Sequence, residues 1–516
     1  MNGKPFWLGI IVFSLSFSAW LMWHTFSYDS KKSEMHISDK VWSDFAGHLP
    51  LVRSFSRGQN FPIENPTFPG EKIRYHFLFY QAVGGLEKIM PIDWAMNLPS
   101  AFGLAGLLIT IAVLAKLVTK SSFAVVLALA FTIFNGSGSA LNFVQKHNIG
   151  ELTTLRNYPA FGPWDGGDIS ASWNLNIFTN QRHLAPALAL ALVIIINYLQ
   201  EKRKLATYLS LVVLPLLNMA VFVGLAIVMF GLWLTGPNIK KYTIFTVLFA
   251  VLGVILAELL VNAGNDIILN PGFLALKPIT IMSFNGHLFR NYGLHMILIP
   301  IGILLAPGKW KRLGVSLLPL FATAYLFQFS KDMFNNHKLL NLFLAVGVIY
   351  TALAVQKMHL LFKSFLVFVL IISGIVDFFP VINQGVMIFQ DIPANKDAVY
   401  FLTIPKNSLV LNSNWLYNPA SIAGRKIFSG YTYFTWSHGY DSWGREAIQK
   451  QIYSASTKQI ACSLLLKNKI NFVELRKNSE DFLQPNWVMW ENEFRRSYFN
   501  SQTGFSAYDV FENCGK

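Results

Sequence analysis

About eleven apolar segments along the chain approach the length that an α-helix needs to cross a bilayer. Of the 516 residues, 53% are hydrophobic and only 13% are charged, which is more apolar surface than a water-soluble fold could bury. We therefore predict an all-α polytopic membrane domain. The predicted spans are residues 5–26, 94–118, 122–143, 184–200, 205–217, 219–236, 242–263, 292–307, 313–329, 339–356 and 364–382.

Basic residues in the short connections predict how these spans are oriented. With the N-terminus in the cytoplasm, every inner connection is basic, as the positive-inside rule requires. The first span is interpreted as an uncleaved anchor, because bulky Trp23 and Phe26 stand at its end, where signal peptidase needs small residues. The loop 27–93 and the tail 383–516 then lie outside the cytoplasm. The inner basic residues are Lys116, Lys120, Lys202, Arg203, Lys204, Lys240, Lys241, Lys309, Lys311, Arg312, Lys357 and Lys363.

The segment 205–217 is too short to cross the bilayer upright, because Pro215 and Asn218 end it early. As a re-entrant helix it would reverse every later segment and break the basic pattern. The net charge of +15 is scattered over many loops without a continuous basic stripe. We therefore expect contacts with lipid phosphates and no nucleic-acid partner.

The chain divides into a membrane domain, residues 1–382, which includes the outer loop 27–93, and a small extracytoplasmic α/β domain, residues 383–516. Its two cysteines, Cys462 and Cys514, both lie in this tail. A disulfide and two buried thiols fit the sequence equally well. Alternation predicts tail strands at 408–411, 471–475 and 505–511, and helical periodicity predicts helices at 443–456 and 458–469.

The outer loop concentrates ionisable residues beside the membrane, where charges are costly unless they face water or each other. Its periodicity predicts two short helices on the membrane surface, at 39–57 and 73–90, joined by an extended proline-rich connector at 58–72. Asp44 and His48 are four residues apart on the first helix, so they share a face.

Asp44 is the candidate catalytic carboxylate of this loop. Near the outer membrane face it could accept a proton from an attacking hydroxyl group or ligate a divalent cation. Alternatively, it caps the helix or pairs with Arg53 or Arg74. His48 could orient the carboxylate or bind phosphate, and a structural hydrogen bond explains it equally well.

Four residues are candidates for binding a phosphate group. The guanidinium of Arg74 matches phosphate oxygens, and His76 follows it at the start of the second predicted helix. Lys338 and Asn336 lie in another outer loop, where an outward lysine runs against the inside-positive trend. The structural alternatives are an interfacial anchor for Arg74 and a snorkelling side chain for Lys338.

Two aromatic segments are candidates for sugar or acceptor contacts. Aromatic rings beside carboxylates are common in sugar-binding sites, since CH groups stack on the ring while acids accept from hydroxyls. Interfacial tryptophans and the core of a folded tail are the structural alternatives. The candidates are Trp164, Asp168 and Arg182 in the loop 144–183, and Trp436, His438 and Arg445 in the tail.

Several functional classes have no support in the sequence. Zinc-ligand spacing, a glycine-rich phosphate loop and a nucleophile elbow are all absent, so nucleotide-sugar binding has no visible motif and no cofactor is indicated beyond the divalent cation. Internal repeats are also absent, and the acids within spans, Glu258 and Asp377, fall near predicted outer ends. Both observations weigh against a transporter or lipid flippase without chemistry, which stays one alternative; a membrane assembly scaffold is the other.

Together these features resemble the GT-C superfamily of polytopic glycosyltransferases, which use polyprenyl-phosphate-linked sugars. Asp44, in Trp42-Ser43-Asp44, occupies the place of that superfamily's catalytic acid, just after the first span. More narrowly, the chain looks like a poorly characterised prokaryotic subgroup. The similar segments are Asp44–His48, Asn60–Pro66, Arg74–His76, Asn335–Lys338 and Gly430–Arg445.

The resemblance implies an inverting transfer of a sugar from a polyprenyl-phosphate donor to an extracytoplasmic glycan, lipid or protein acceptor. In this interpretation Asp44 deprotonates the acceptor and His48 orients it, while Arg74, His76 and Lys338 hold the donor phosphate. The paired acids of protein mannosyltransferases are absent. So are the Asp-x-Asp and Trp-Trp-Asp signatures of oligosaccharyltransferases, which leaves substrate and metal use open.

Overall fold

The computed structural model describes residues 3–135, 138–160, 172–202, 204–236, 240–262, 267–271, 279–332 and 336–515. The α-helices are α1 (Lys4–Thr25), α2 (Trp42–Ser56), α3 (Leu78–Glu87), α4 (Ile92–Thr119), α5 (Ser122–Ile133), α6 (Ser139–Lys146), α7 (Asn176–Asn180), α8 (Leu184–Leu199), α9 (Leu205–Leu217), α10 (Met219–Thr235), α11 (Lys240–Leu260), α12 (Ile281–Tyr292), α13 (His295–Leu305), α14 (Gly308–Val315), α15 (Leu317–Leu326), α16 (His337–Gln356), α17 (Leu360–Ile382), α18 (Lys396–Leu402), α19 (Pro419–Ile422), α20 (Thr432–Ser437), α21 (Ser442–Tyr453), α22 (Lys458–Lys467), α23 (Trp487–Asn492) and α24 (Val510–Cys514).

The strands form four small sheets, with orders β1-β2-β7, β11-β12-β10-β8-β9, β3-β4 and β5-β6. Their bounds are β1 (Phe26–Asp29), β2 (Glu34–Ser38), β3 (Glu64–Asn65), β4 (Phe68–Lys72), β5 (Ile268–Leu269), β6 (Phe327–Gln328), β7 (Val386–Gln390), β8 (Leu409–Leu411), β9 (Lys426–Ile427), β10 (Phe472–Arg476), β11 (Tyr498–Asn500) and β12 (Phe505–Asp509).

Among the described residues, four helices, α1, α4, α16 and α17, are long and apolar enough to cross a bilayer. The pair α12 and α13 meets the same criteria together but is bent by 80° at its break. Shorter apolar helices, among them α5, α8, α9 and α10, lie between these in the chain. The protein is therefore an integral multi-pass membrane protein, although the predicted count of about eleven spans is not confirmed.

Helix α16 lies at the centre of the apolar core, and nearly all of its residues are buried. Helix α13 packs on it backbone to backbone at Gly302, where an added methyl group would overlap the carbonyl of Tyr350. This packing fixes α16 within the core, and the N-terminal end of the same helix carries His337 and Lys338.

The outer loop is tied to the tail by β-pairing. Strand β2 lies between β1 and β7 in an antiparallel sheet, with Ile37 opposite Met387. Both predicted loop helices exist, as α2 and α3, but the second begins at Leu78 and not at 73. The segment before it is instead held by the tail, since the backbone N–H of Arg74 donates to the hydroxyl of Tyr440 at 2.8 Å.

The tail contains the predicted strands as β8, β10 and β12, and the predicted helices as α21 and α22. A disulfide joins Cys462 on α22 to Cys514 on α24. Because β7 pairs with β2, the first strand after α17 belongs to a sheet of the outer loop. The division at residue 382 into two independent domains therefore stays a prediction.

A buried ion cluster, formed by Arg53, Glu87 and Asp391, joins α2, α3 and the tail. The guanidinium of Arg53 lies 3.0 Å from Glu87 and 2.7 Å from Asp391, and all three side chains are buried. Arg57 approaches the same Glu87 at 3.6 Å but is 29% exposed. Charges removed from water in this way need close partners, so the cluster fixes the tail against α2.

We expect Arg53→Ala to destabilise the folded protein by about 3–5 kcal/mol, because two buried carboxylates would lose their shared cation. Arg57→Ala is the matched control and should cost at most about 1 kcal/mol, since its guanidinium is partly solvated. Thermal unfolding of both variants in detergent micelles measures the difference. Equal destabilisation by the two substitutions would contradict this account of the cluster.

Candidate active site

A cavity of about 430 Å³ lies where the outer loop, the start of α16 and the tail meet. Its wall combines carboxylates, a lysine, histidines and tyrosines with apolar side chains. The lining residues are Ser43, Asp44, Ala46, Gly47, His48, Leu51, Asn65, Thr67, Ile73, Tyr75, Ser172, Asn176, Ile177, Asn180, Gln181, Asp332, His337, Lys338, Trp415, Leu416, Tyr431, Tyr433, Phe434, Ser437 and His438.

Asp44 lies in the first turn of α2 and faces this cavity. One carboxylate oxygen, Oδ2, accepts a hydrogen bond from the side-chain amide of Asn180 at 2.8 Å. This assigns the amide so that its oxygen accepts from Asn176, also at 2.8 Å, which leaves the nitrogen for Asp44. Asn176 and Asn180 are one turn apart on α7, so the helix fixes the orientation of the pair.

Burial raises the pKa of Asp44 to about 6, while the nearby Lys338 opposes this rise and Asp332 adds to it. The group is therefore ionised above about pH 6 and protonated below it. A carboxylate with such a pKa is a stronger base than an exposed aspartate and is still charged at neutral pH. Arg53 and Arg74, the two alternative partners for Asp44, pair instead with other acids.

His48 lines the same cavity one turn after Asp44, and its ring packs on Tyr80 at 4.8 Å between centroids. Burial lowers its pKa to about 3, with smaller contributions from the nearby His438, Arg182 and Lys338, so the imidazole is neutral. Within the described part of the chain its Nδ1 has no hydrogen-bond partner. The amide of Asn180, rather than His48, is the group that contacts the Asp44 carboxylate.

Lys338 lines the cavity from the first turn of α16. Its Nζ lies 5.9 Å from the ring centroid of Tyr75, and it interacts electrostatically with Asp332 and Asp44. The cavity thus places a cation and a carboxylate from distant parts of the sequence around one space. Such a pair can accept a proton at one end and stabilise an anion at the other.

Arg74 and Asn336 are absent from the cavity lining that the structure describes. The guanidinium of Arg74 donates to Glu71 and to the carbonyl of Gly439, both at 2.6 Å. The Asn336 amide donates to the carbonyls of Ala324 and Phe327, which shapes the loop before α16. Both side chains are engaged in hydrogen bonds with neighbouring parts of the fold, so direct phosphate contact is a weaker interpretation for each.

His76 lies behind Tyr75, with its ring 3.7 Å from Tyr75 and 3.9 Å from His183 between centroids. Burial is the main reason why its pKa lies well below the usual value, so the ring is neutral. His438, in contrast, lines the cavity and stacks on Tyr75 at 4.4 Å. Tyr75 therefore separates the two imidazoles and exposes only one of them to the cavity.

Two of the predicted sugar or acceptor contacts, Arg182 and Arg445, bind other parts of the fold. Arg182 is buried and donates to the Thr25 hydroxyl at 2.8 Å and to Asn97 at 3.1 Å, which ties its segment to α1 and α4. Arg445 donates to the Pro69 carbonyl at 2.8 Å and lies 3.6 Å from the Phe68 ring centroid.

One further predicted contact, Trp436, lies at the edge of the site. Trp436 is next to the cavity-lining Tyr433, with ring centroids 6.0 Å apart. Trp164 and Asp168 lie outside the described residues.

Sequence reasoning missed several residues that the fold brings to the cavity, chiefly Asn180, Tyr75 and Tyr433. For Asn180 the available signal was its helical spacing from Asn176 in the segment 144–183. The Tyr433 hydroxyl donates to Asp332 at 3.0 Å, so it joins the tail to the loop before α16. Among the described residues, no group of three or more His, Cys, Asp or Glu side chains could hold a metal ion.

No family model and no curated protein matches this chain. Among solved structures it is similar to the archaeal oligosaccharyltransferase AglB from Archaeoglobus fulgidus in complex with an inhibitory peptide and a dolichol-phosphate. The identity is 11%, the match covers 92% of this chain and 69% of that one, and the TM-score is 0.44. The apo form of the Archaeoglobus fulgidus oligosaccharyltransferase matches at 11% identity, with 92% and 70% coverage and a TM-score of 0.46. With TM-scores below 0.5, the similarity assigns no residue roles here.

We expect Asn180→Ala to raise the pKa of Asp44 by about one to two units. Hydrogen bonds to charged groups contribute about 1.5–3 kcal/mol, and the lost donor stabilises only the ionised form. Infrared difference spectra of the carboxyl band, with Asp44→Asn as the reference, measure the titration. Gln181→Ala is the control, because Gln181 also lines the cavity. An unchanged titration in Asn180→Ala, or an equal shift in the control, would refute this role for Asn180.

Proposed function

We propose that the protein is an outward-facing membrane glycosyltransferase that moves a sugar from a polyprenyl-phosphate-linked donor to an extracytoplasmic acceptor. The observation that carries the proposal is that Asp44 and Lys338 line one cavity. That cavity begins at the end of a buried apolar helix, α16, and is closed by a polar and aromatic tail. A donor with an apolar chain and an anionic head group matches both the apolar helix and the polar side chains around the cavity.

The chemistry needs a base and a stabiliser of the leaving group. The acceptor hydroxyl gives its proton to Asp44, its oxygen bonds to the anomeric carbon, and the bond from that carbon to the phosphate oxygen breaks. The electron pair leaves with the lipid phosphate, whose charge Lys338 balances. A single displacement of this kind inverts the anomeric configuration, and Asn180 keeps the carboxylate aimed during it.

The donor phosphate meets Lys338 directly. Arg74, His76 and Asn336 act at a distance from the phosphate: they fix Gly439, Tyr75 and the loop before α16, respectively. His48 lines the acceptor side near Asp44 as a neutral hydrogen-bonding group. The tail residues Trp436 and His438 then face the acceptor.

The orientation belongs to the same proposal. The N-terminus is cytoplasmic, and the cavity with the tail lies outside, opposite the basic connections. The Cys462–Cys514 disulfide supports this placement, because such bonds persist in oxidising compartments. The described side chains do not supply a three-ligand metal site, so no step is assigned to a divalent cation. A non-enzymatic transporter, flippase or scaffold would not need a carboxylate of raised pKa facing a cavity, so these alternatives are not favoured.

Asp44→Asn should lower sugar transfer by about 100- to 10,000-fold while the protein stays folded, because an amide matches the shape of the carboxylate but cannot act as the base. Consumption of the lipid-linked sugar in proteoliposomes measures the rate. Asp29→Asn is the matched control, since Asp29 lies in the same outer loop and only accepts from the backbone N–H groups of Lys31 and Lys32. Transfer by Asp44→Asn within about threefold of wild type would remove Asp44 from the mechanism.

The pH profile provides a second readout of the same experiment. A raised pKa leaves the base protonated below about pH 6, so transfer should increase as the pH rises through that value. Phosphodiester donors do not titrate in this range, so the rise in transfer near pH 6 would report a group of the protein.

A further inference from the structure

Four aromatic side chains of the tail form a continuous row: Tyr431, Tyr433, Trp436 and Trp443, called here the aromatic track. Successive ring centroids are 6.4, 6.0 and 6.1 Å apart. Tyr431 and Tyr433 line the cavity that holds Asp44, whereas Trp443 at the other end is 60% exposed. The track therefore leads from the cavity to solvent.

Carboxylates border this track along its length. Asp332 accepts from the Tyr433 hydroxyl at 3.0 Å, and Glu446 accepts from the Thr432 hydroxyl at 3.2 Å. Asp441 caps α21 two residues before Trp443, accepting from the backbone of Gly444 at 3.1 Å. The cation nearest in sequence, Arg445, is turned away, because its guanidinium stacks on Phe68 and donates to the Pro69 carbonyl.

We infer that the aromatic track binds a saccharide acceptor of several sugar units, and this inference rests on the proposed function. Each step between rings is similar to the width of one sugar unit. The CH faces of the sugars stack on the rings, while their hydroxyl groups donate to the bordering carboxylates. The unit at the cavity end presents its hydroxyl to Asp44, and the preceding units lie along Tyr433, Trp436 and Trp443.

The charges around the track distinguish this assignment from a membrane anchor. Aromatic residues that anchor proteins at lipid head groups commonly occur with Lys and Arg, which are attracted to anionic lipids. Outside the cavity the bordering groups are Asp441 and Glu446, which such a surface repels, whereas Asp332 lines the cavity together with Lys338. They instead supply the acceptors that a hydroxyl-rich ligand needs. The track is also continuous with the cavity, as an acceptor path requires.

Binding of saccharides by the full-length protein in detergent micelles tests the inference. The probe is a panel of neutral hexasaccharides built from glucose, mannose, galactose and N-acetylglucosamine in α and β linkages. We expect wild type to bind at least one of them, and Trp443→Ala and Trp436→Ala each to weaken that binding by about 3- to 10-fold, as loss of one aromatic stacking contact predicts. Phe511→Ala, which removes another exposed tail aromatic, is the control and should bind as wild type does.

The outcomes separate the inference from the proposed function. If Asp44→Asn transfers sugar normally while the track variants lose binding, the proposed mechanism fails and the track stands. Failure of wild type to bind any hexasaccharide at millimolar concentration would overturn the inference. An equal loss of binding in Phe511→Ala would also overturn it. The same holds if the track variants bind the hexasaccharide normally and lose only their binding to vesicles of anionic lipid or to a panel of peptides.

Discussion

The buried ion pairs of Arg53 hold together the part of the structure on which the candidate site depends. One guanidinium meets Glu87 from α3 and Asp391 from the tail, and all three side chains are removed from water. Asp44 lies on the same helix as Arg53, more than two turns earlier. Because the cavity is formed between this helix and the tail, it exists only while the tail stays docked on α2. The β2–β7 pairing fixes the same contact through the backbone.

The charged side chains near the site fall into two groups. Arg53, Arg74, Arg182 and Arg445 direct their guanidinium groups at carboxylates or at oxygen atoms of the fold. Asp44 and Lys338 instead face a common cavity, and the pKa of Asp44 rises to about 6 because of burial. Burying a carboxylate without a close cation costs folding energy, which is typical of functional groups. This contrast separates structural charges from candidate catalytic ones.

Local pattern predicted those features that depend on neighbouring residues. The apolar segments, the helix that carries Asp44 and His48, and the tail strands β8, β10 and β12 all follow from periodicity within a few residues. The bounds of α3 did not, because the hydroxyl of Tyr440 holds the backbone of Arg74 before the helix begins. Pairing between residues several hundred positions apart leaves no signal in local periodicity.

The same limit explains the site assignments. Asp44 could be selected because its charge stands out in an apolar chain, and Lys338 because it breaks the inside-positive pattern. The hydrogen-bond partner of Asp44, Asn180, could not be selected from the sequence. It is distant from Asp44 along the chain, and an asparagine beside a membrane segment has many structural uses. Arg74 was assigned to phosphate on its chemistry alone, whereas Glu71 and Gly439 occupy its guanidinium.

A cryo-electron microscopy structure of the protein with a polyprenyl-phosphate sugar tests the central claim most directly. The account predicts a phosphate oxygen about 3 Å from Lys338 Nζ, with the sugar held between that phosphate and the Asp44 carboxylate. A lipid phosphate bound elsewhere on the protein, with the sugar out of reach of Asp44, would contradict it.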